Sequence, residues 1–267
     1  MMQLEAIIFD VDGTLADTEE VHRQAFNRAF KEFDLDWNWT PKVYEELLSI
    51  SGGYERITYY AGELAEQFSH AGGFSRFAQD VHKAKSKMYV DMLEAGEVPL
   101  RTGVRRLLEE IRDSELMLAI ATSSTYSNLK TLLDRNLPAD WTSWFSAIST
   151  CDTITKKKPS PAVYESVLGI LEIEPTRAIA IEDTVNGCLS ATAAGLSSII
   201  TTHFYTRHHH FPSAALVVDS LGDRDAPFKV ARGDAGGKEF VDLALLKQLV
   251  ATRAEHSSTA QARVATA

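Results

Sequence analysis

The stretch Ile7-Ile8-Phe9-Asp10-Val11-Asp12-Gly13-Thr14-Leu15 is an apolar run closed by two carboxylates one residue apart and a glycine turn. A short continuous apolar run followed by turn signals is the pattern of a buried strand, and a buried strand needs helices over both of its faces. Successive residues of a strand alternate sides, so a strand that runs on to Asp12 turns Asp10 and Asp12 toward one site. Two bare carboxylates there repel each other unless a cation lies between them. The stretch therefore asks for a metal.

The rest of the chain has the pattern such a strand requires. From Pro99 onward strands alternate with helices, the signature of a parallel sheet covered on both sides. Strands are predicted at 116–121, near 145–148, and at 178–181, 198–200 and 216–218. Between them fall a helix around 104–111, one carrying Leu129, Leu132 and Leu133, one ending at Leu171, and a small-residue helix running to Gly195. Residues 222–237 mix Gly, Asp and Arg and read as an irregular connection before a last helix near 240–251. Residues 17–93 contain no convincing strand. There Val21, Ala25, Phe26, Ala29 and Phe30 recur at helical spacing, with Asp17 or Thr18 as cap; Pro41 opens a second helix, a third starts near Tyr54, and a fourth spans about 74–93. The fold class is α/β: a doubly wound parallel-sheet (Rossmann-like) core of residues 1–16 and 97–253, interrupted by a helical insertion at 17–96. Residues 254–267 offer nothing to bury and read as a loose tail.

The net charge of -10 argues against nucleic acid or an anionic membrane as partner, since both call for a basic face. Two cysteines, Cys151 and Cys188, suggest neither a disulfide framework nor a thiolate cluster, and the expectation is a cytoplasmic, reducing compartment. A monomer is the default. His208-His209-His210 is a wet loop by this reading, because three consecutive residues do not share a face.

Polar residues follow the ends of three apolar strands: Asp10 and Asp12, Thr122 and Ser123, then Glu182 and Asp183. In a parallel sheet these are carboxyl ends, where ligands bind. Lys158 precedes proline in a loop between the second and third groups. Together they offer a carboxylate nucleophile, a second carboxylate for proton transfer, anion-holding hydroxyl and N-H groups, a cation and a metal-binding acid. That is an inventory for phosphoryl transfer.

Asp10-Val11-Asp12-Gly13-Thr14-Leu15, Ala121-Thr122-Ser123, Lys158-Pro159 and Ile181-Glu182-Asp183 match, in order, the four motifs of the haloacid dehalogenase superfamily of aspartyl phosphatases. Asp-x-Asp-Gly-Thr alone has a chance frequency on the order of one in several hundred chains of this length at average residue usage. The helical insertion stands where that superfamily has a cap domain. More closely, the chain resembles the CbbY-like phosphatases, which resemble beta-phosphoglucomutase in layout and remove the 1-phosphate of xylulose 1,5-bisphosphate, a rubisco inhibitor. The likeness is carried by Thr18 to Asn27, Asp36-Trp37 with Trp39, Ser51-Gly52-Gly53 with Glu55-Arg56-Ile57, His82 to Lys85, Lys157 to Pro161, and Phe204 to Arg207. Two departures stand out: Tyr54 occupies a position where the family pattern has lysine, and Ser86-Lys87 replace its Thr-Glu.

The resemblance implies a magnesium ion (Mg2+) on the Asp10 carboxylate, the Asp12 backbone carbonyl and Asp183, with Glu182 as ligand or supporting partner. It implies Asp10 as nucleophile, Asp12 as proton carrier, and Thr122, Ser123, Ser124 and Lys158 around the phosphoryl group. For the sugar and a second phosphate it implies Gly52, Gly53, Arg56, His82 and Lys85. Lys83 and Lys87 lie on another helix face than His82 and Lys85, so only one set lines a pocket, and the resemblance selects the latter. Glu19 and Tyr44 read equally as sugar contacts or as helix-terminus charge and packing. The implied partner is a small phosphorylated sugar. A beta-phosphoglucomutase-like enzyme and a catalytically silent sugar-phosphate sensor are the alternatives.

Overall fold

The computed structural model of the chain describes residues 3–62, 73–95 and 98–252. The described strands are β1 (Ala6–Phe9), β2 (Met117–Ala121), β3 (Ala147–Ser149), β4 (Ala178–Glu182), β5 (Ser197–Thr201), β6 (Leu216–Val218) and β7 (Val230–Gly233). The described helices are α1 (Glu19–Glu32), α2 (Pro41–Leu47), α3 (Gly53–Ala61), α4 (Gly73–Ala95), α5 (Val104–Arg112), α6 (Tyr126–Asn136), α7 (Ala162–Leu171), α8 (Val185–Ala193) and α9 (243–252). The strands form one sheet in the order β3-β2-β1-β4-β5-β6-β7, parallel throughout except for the last pair.

Side-chain size alternates along β2 and β4, and the two faces of the sheet meet different helices. Ile7, Phe9, Leu118, Ile120, Ile179 and Ile181 pack on one side against apolar residues of α5, α6 and α9. The intervening Ala6, Ile8, Ala119, Ala121, Ala178 and Ala180 lie on the other side with Val163, Tyr164 and Val167 of α7 and Ala191 of α8. The alanines that make up most of that face let α7 and α8 lie close to the sheet. On α5, Val104, Leu107, Leu108 and Ile111 are fully buried at the i, i+3, i+4, i+7 spacing of one helix face. Leu107→Ala is expected to cost about 2–5 kcal/mol, read as a lower urea midpoint with an unchanged m-value.

Two expectations are corrected. Residues 222–237 contain a strand: β7 pairs antiparallel with β6. Its Val-Ala-Arg-Gly sequence is exposed throughout and has neither alternation nor an apolar run. Backbone pairing makes it a strand, and Arg232 fastens it by donating to the Phe211 and Ala214 carbonyls at 2.8 and 2.9 Å. β1 ends at Phe9, so Asp10 and Asp12 lie in the loop beyond the strand rather than on one strand face. Beyond β4, the Thr184 hydroxyl caps α8 by accepting from the Gly187 N-H at 3.0 Å.

The four inserted helices share a core of Phe26, Phe30, Trp39, Tyr44, Ile57, Phe77 and Val81. Tyr205, from the segment after β5, is buried in that same cluster, and its hydroxyl donates to Glu20 Oε2 at 2.5 Å. The expected boundary at 96/97 and the expected loose tail at 254–267 lie outside the described residues. Among the described residues no helix is long and apolar enough to cross a membrane.

Candidate active site

The loops beyond the carboxyl ends of β1, β2 and β4 meet under α1, α3 and α4 and line one cavity. At its floor the Lys158 ammonium donates to Asp10 Oδ1 at 2.6 Å, the Ala121 carbonyl at 3.0 Å and Glu182 Oε1 at 2.5 Å. Tyr164 donates to the same Glu182 oxygen at 2.6 Å. Burial pushes the Asp10 carboxyl well above the usual range; Lys158 opposes that, and Glu182 and Asp183 add to it. Glu182 is raised by burial and by Asp183, again against Lys158. Lys158 is itself buried, yet the charges of Asp10 and Glu182 raise its pKa.

Oxygens of Asp10, Glu182 and Asp183 lie within 4.8 Å of one another, all buried. Asp183 is held by the Thr14 hydroxyl at 3.3 Å and by His203 Nε2 at 2.9 Å. Gly13 closes over it at φ +84°, where a Cβ would lie 2.2 Å from Asp183 Oδ2, a conformation and an approach that only glycine accepts. The donors are all hard oxygens, and the three carboxylates outnumber the one ammonium among them. That set fits a hard divalent cation such as magnesium.

Asp12 lines the same cavity but turns its carboxylate away from this cluster. Oδ1 accepts from the Thr18 hydroxyl at 2.6 Å, Tyr89 at 3.4 Å and, at 3.3 Å, His22 Nε2; Oδ2 accepts from the Ser124 hydroxyl. Burial alone would raise its pKa, but the hydrogen bonds from His22, Ser124 and Thr18 hold it well below the usual carboxylate range. Behind His22, the Lys85 ammonium lies 2.7 Å from Nδ1, and His22 stacks on Tyr89 with ring centroids 3.8 Å apart. Thr18 occupies the N-cap position of α1, yet its side chain does not cap the helix. The carboxylate is the stronger acceptor, so the hydroxyl goes to Asp12.

The remaining expected residues fall as follows. Thr122, Ser123, Ser124, Gly52, Gly53, Arg56, His82, Lys85 and Glu19 line the cavity. Burial pushes Lys85 down to about 7, aided by the charge of Arg56, and pushes His82 down to about 4, aided by Lys85. Arg56 donates to the Ile50 carbonyl at 2.9 Å and to the Tyr44 hydroxyl at 3.0 Å, and Tyr44 donates to Glu19 at 2.6 Å. Tyr44 thus supports Glu19 and Arg56 from behind without lining the cavity itself. Lys83 is exposed, and Lys87 pairs with Asp91 on the surface. Tyr54 turns away, its hydroxyl 3.1 Å from that of Ser75.

Sequence reasoning missed His203, Tyr164 and Asn186 and gave Lys157 no role. His203 follows β5 just as the chosen acids follow their strands, and that signal was available. Asn186 donates to the Ser49 carbonyl at 2.9 Å, joining α8 to the loop before α3, and no sequence pattern announces it.

Comparison with known proteins identifies the family. Residues 7–201 match the haloacid dehalogenase-like hydrolase family. The plasmid-borne protein CbbY of Cupriavidus necator is 41% identical over 244 residues, 91% of this chain and 96% of that one. A crystal structure of CbbY from Rhodobacter sphaeroides in complex with phosphate superposes with a TM-score of 0.73 at 39% identity, over 82% of this chain and 95% of that one. A mutant of the same CbbY in complex with xylulose-(1,5)bisphosphate matches with a TM-score of 0.73 at 38% identity, over the same shares of both chains. The chain belongs to the haloacid dehalogenase-like hydrolases, and within that family it is a CbbY-like phosphatase.

Proposed function

We propose that the chain is a magnesium-dependent phosphatase that removes the 1-phosphate of xylulose 1,5-bisphosphate through an aspartyl-phosphate, with residues 17–96 acting as a cap over the core. The observation that carries this reading is one cavity with Asp10, Lys158 and Asp183 at one end and Arg56, His82 and Lys85 toward the cap. That layout suits a small sugar bearing a phosphate at each end. The xylulose-(1,5)bisphosphate complex of a 38% identical protein supports the choice of sugar.

In this mechanism the Asp10 carboxylate attacks phosphorus in line and the C1 oxygen departs. Lys158, fixed by Asp10, Glu182 and the Ala121 carbonyl, offsets charge on the phosphoryl oxygens, with Thr122 and the Ser123 N-H beside it. Held by Asp10, Glu182, Asp183 and the Asp12 carbonyl, a magnesium ion would supply Lewis-acid stabilisation of those oxygens. Asp12 hands a proton to the departing sugar oxygen and later takes one from the attacking water. Its carboxyl is held low in the free protein, and like-charge repulsion from a phosphoryl dianion alongside acts in the opposite direction. The first transfer requires Asp12 to carry a proton in the substrate complex. Thr18, His22 and Ser124 keep the carboxylate on the leaving-group side. Thr18→Val is expected to lower kcat about tenfold, the loss of one hydrogen bond to a charged group, with a smaller change in KM.

Free phosphate measured over a panel of sugar phosphates tests the reading. Magnesium-dependent release from xylulose 1,5-bisphosphate, abolished by EDTA, is expected. Isomerised sugar phosphate without net phosphate would assign a mutase instead, and no turnover across the panel would assign a sensor.

A further inference from the structure

We infer that Lys157, a residue of the core, is the specificity-determining cation for the substrate's second phosphate, and that Glu55 is its counter-ion in the free enzyme. This rests on the sugar-bisphosphate reading above. Lys157 precedes Lys158, which points to the reaction centre, and both side chains line the cavity. The Lys157 ammonium crosses to the insertion and pairs with Glu55 of α3.

The surroundings of Lys157 form a cradle for an anion. A Cβ on Gly52, the N-cap of α3, would lie 2.3 Å from Lys157 Nζ, and one on Gly53 would lie 2.6 Å from His82 Nε2. The ammonium and the imidazole therefore flank the start of α3. The first bond closing that helix runs from the Arg56 N-H to the Gly52 carbonyl, so the N-H groups of residues 53–55 have no partner within the helix. Glycine at 52 and 53 leaves the room that the Glu55 carboxylate, the Lys157 ammonium and the His82 ring occupy, with Glu55 Oε2 only 2.0 Å from where a Cβ on Gly52 would lie.

Lys157 is also the cavity cation best able to change partners. Arg56 is committed to Ile50 and Tyr44, and Lys85 to His22 and the faces of Phe26 and Tyr89. Lys158 serves the reaction centre. The Lys157 and Glu55 side chains are 34% and 42% exposed, and Glu55 Oε2 has no hydrogen-bond partner among the described residues. A phosphate dianion outcompetes such a half-solvated, incompletely bonded carboxylate for an ammonium. Tyr54, turned to Ser75, brings no charge to this cradle from α3, and Lys157 supplies it from across the interface. On binding, the distal phosphate takes the place of the Glu55 carboxylate, which swings toward solvent.

The test compares kcat/KM for phosphate release from xylulose 1,5-bisphosphate and from xylulose 1-phosphate in the full-length parent, Lys157→Met, Lys157→Arg and Glu55→Gln. The bisphosphate-to-monophosphate ratio is expected to fall about tenfold or more in Lys157→Met, the loss of one charge-assisted contact. Lys157→Arg is expected to recover most of it. Glu55→Gln is expected to hold or raise the ratio by removing the competing carboxylate. If the pair merely fastens the insertion to the core, Lys157→Met and Glu55→Gln lower both substrates together in the same direction, and the inference is overturned. A parent that shows no preference for the bisphosphate overturns the sugar-bisphosphate reading and the inference with it. A preference that survives Lys157→Met overturns the inference alone.

Discussion

Asp10→Asn is expected to fold as the parent does and to lose phosphate release by about 10⁴-fold or more, the scale of removing a covalent nucleophile. Folding is preserved for an electrostatic reason. Asp10 is buried beside Glu182 and Asp183, and both its burial and their charges disfavour its ionised form. A neutral amide of the same shape removes one of three crowded carboxylates and can still accept from Lys158. The melting temperature is therefore expected to be no lower than the parent's, so lost activity reports chemistry rather than unfolding. Near-normal phosphate release from a folded Asp10→Asn protein would remove Asp10 from the nucleophile's role.

Lys158→Met is expected to damage stability as well as activity. Its ammonium is buried and in contact with two buried carboxylates, and breaking such a cluster from one side costs about 3–5 kcal/mol. The pH dependence has a definite sign. Asp10 and Glu182 are raised above their ordinary values even with Lys158 opposing the shift, so without it they rise further. A raised folded-state pKa means stability that is present below the unfolded value, about 4 for these acids, and lost as pH rises through the folded value. The variant should therefore approach the parent near pH 4 and fall progressively behind it toward pH 8. Urea unfolding of both proteins at the two pH values checks this. A deficit independent of pH would mean that Lys158 acts by packing and not by charge. Magnesium should recover part of the deficit at pH 8, since a cation among the same carboxylates performs the same compensation.

The grouping of residues at the floor of the cavity was legible because a parallel sheet converts chain order into position. Asp10, Thr122 and Asp183 each follow an apolar run, and the carboxyl ends of parallel strands lie side by side, so residues more than a hundred positions apart come together without any appeal to tertiary detail. His203 obeys the same rule one strand further along. The insertion was legible as helices, but helical spacing says which residues share a face and not which face meets the core. Thr18 therefore looked like a cap until Asp12 proved the better partner for its hydroxyl. Tyr205 belongs in sequence to the core and by packing to the insertion, a placement that depends on how the two parts meet. β7 was invisible because its side chains bury nothing. Lys157 read as one member of a charge run, since only the approach of α3 supplies its partner.

In the proposed mechanism phosphorus passes through Asp10 before it reaches water. Two in-line displacements invert phosphorus twice, whereas direct attack by water inverts it once. The most direct measurement is the stereochemical course of hydrolysis of the 1-phosphorothioate analogue of xylulose 1,5-bisphosphate, made chiral with two oxygen isotopes, with the water supplying the third so that the released thiophosphate is itself chiral. Net retention at phosphorus is the expected result. Net inversion would mean that water attacks the substrate directly, and it would contradict the assignment of Asp10 as the nucleophile.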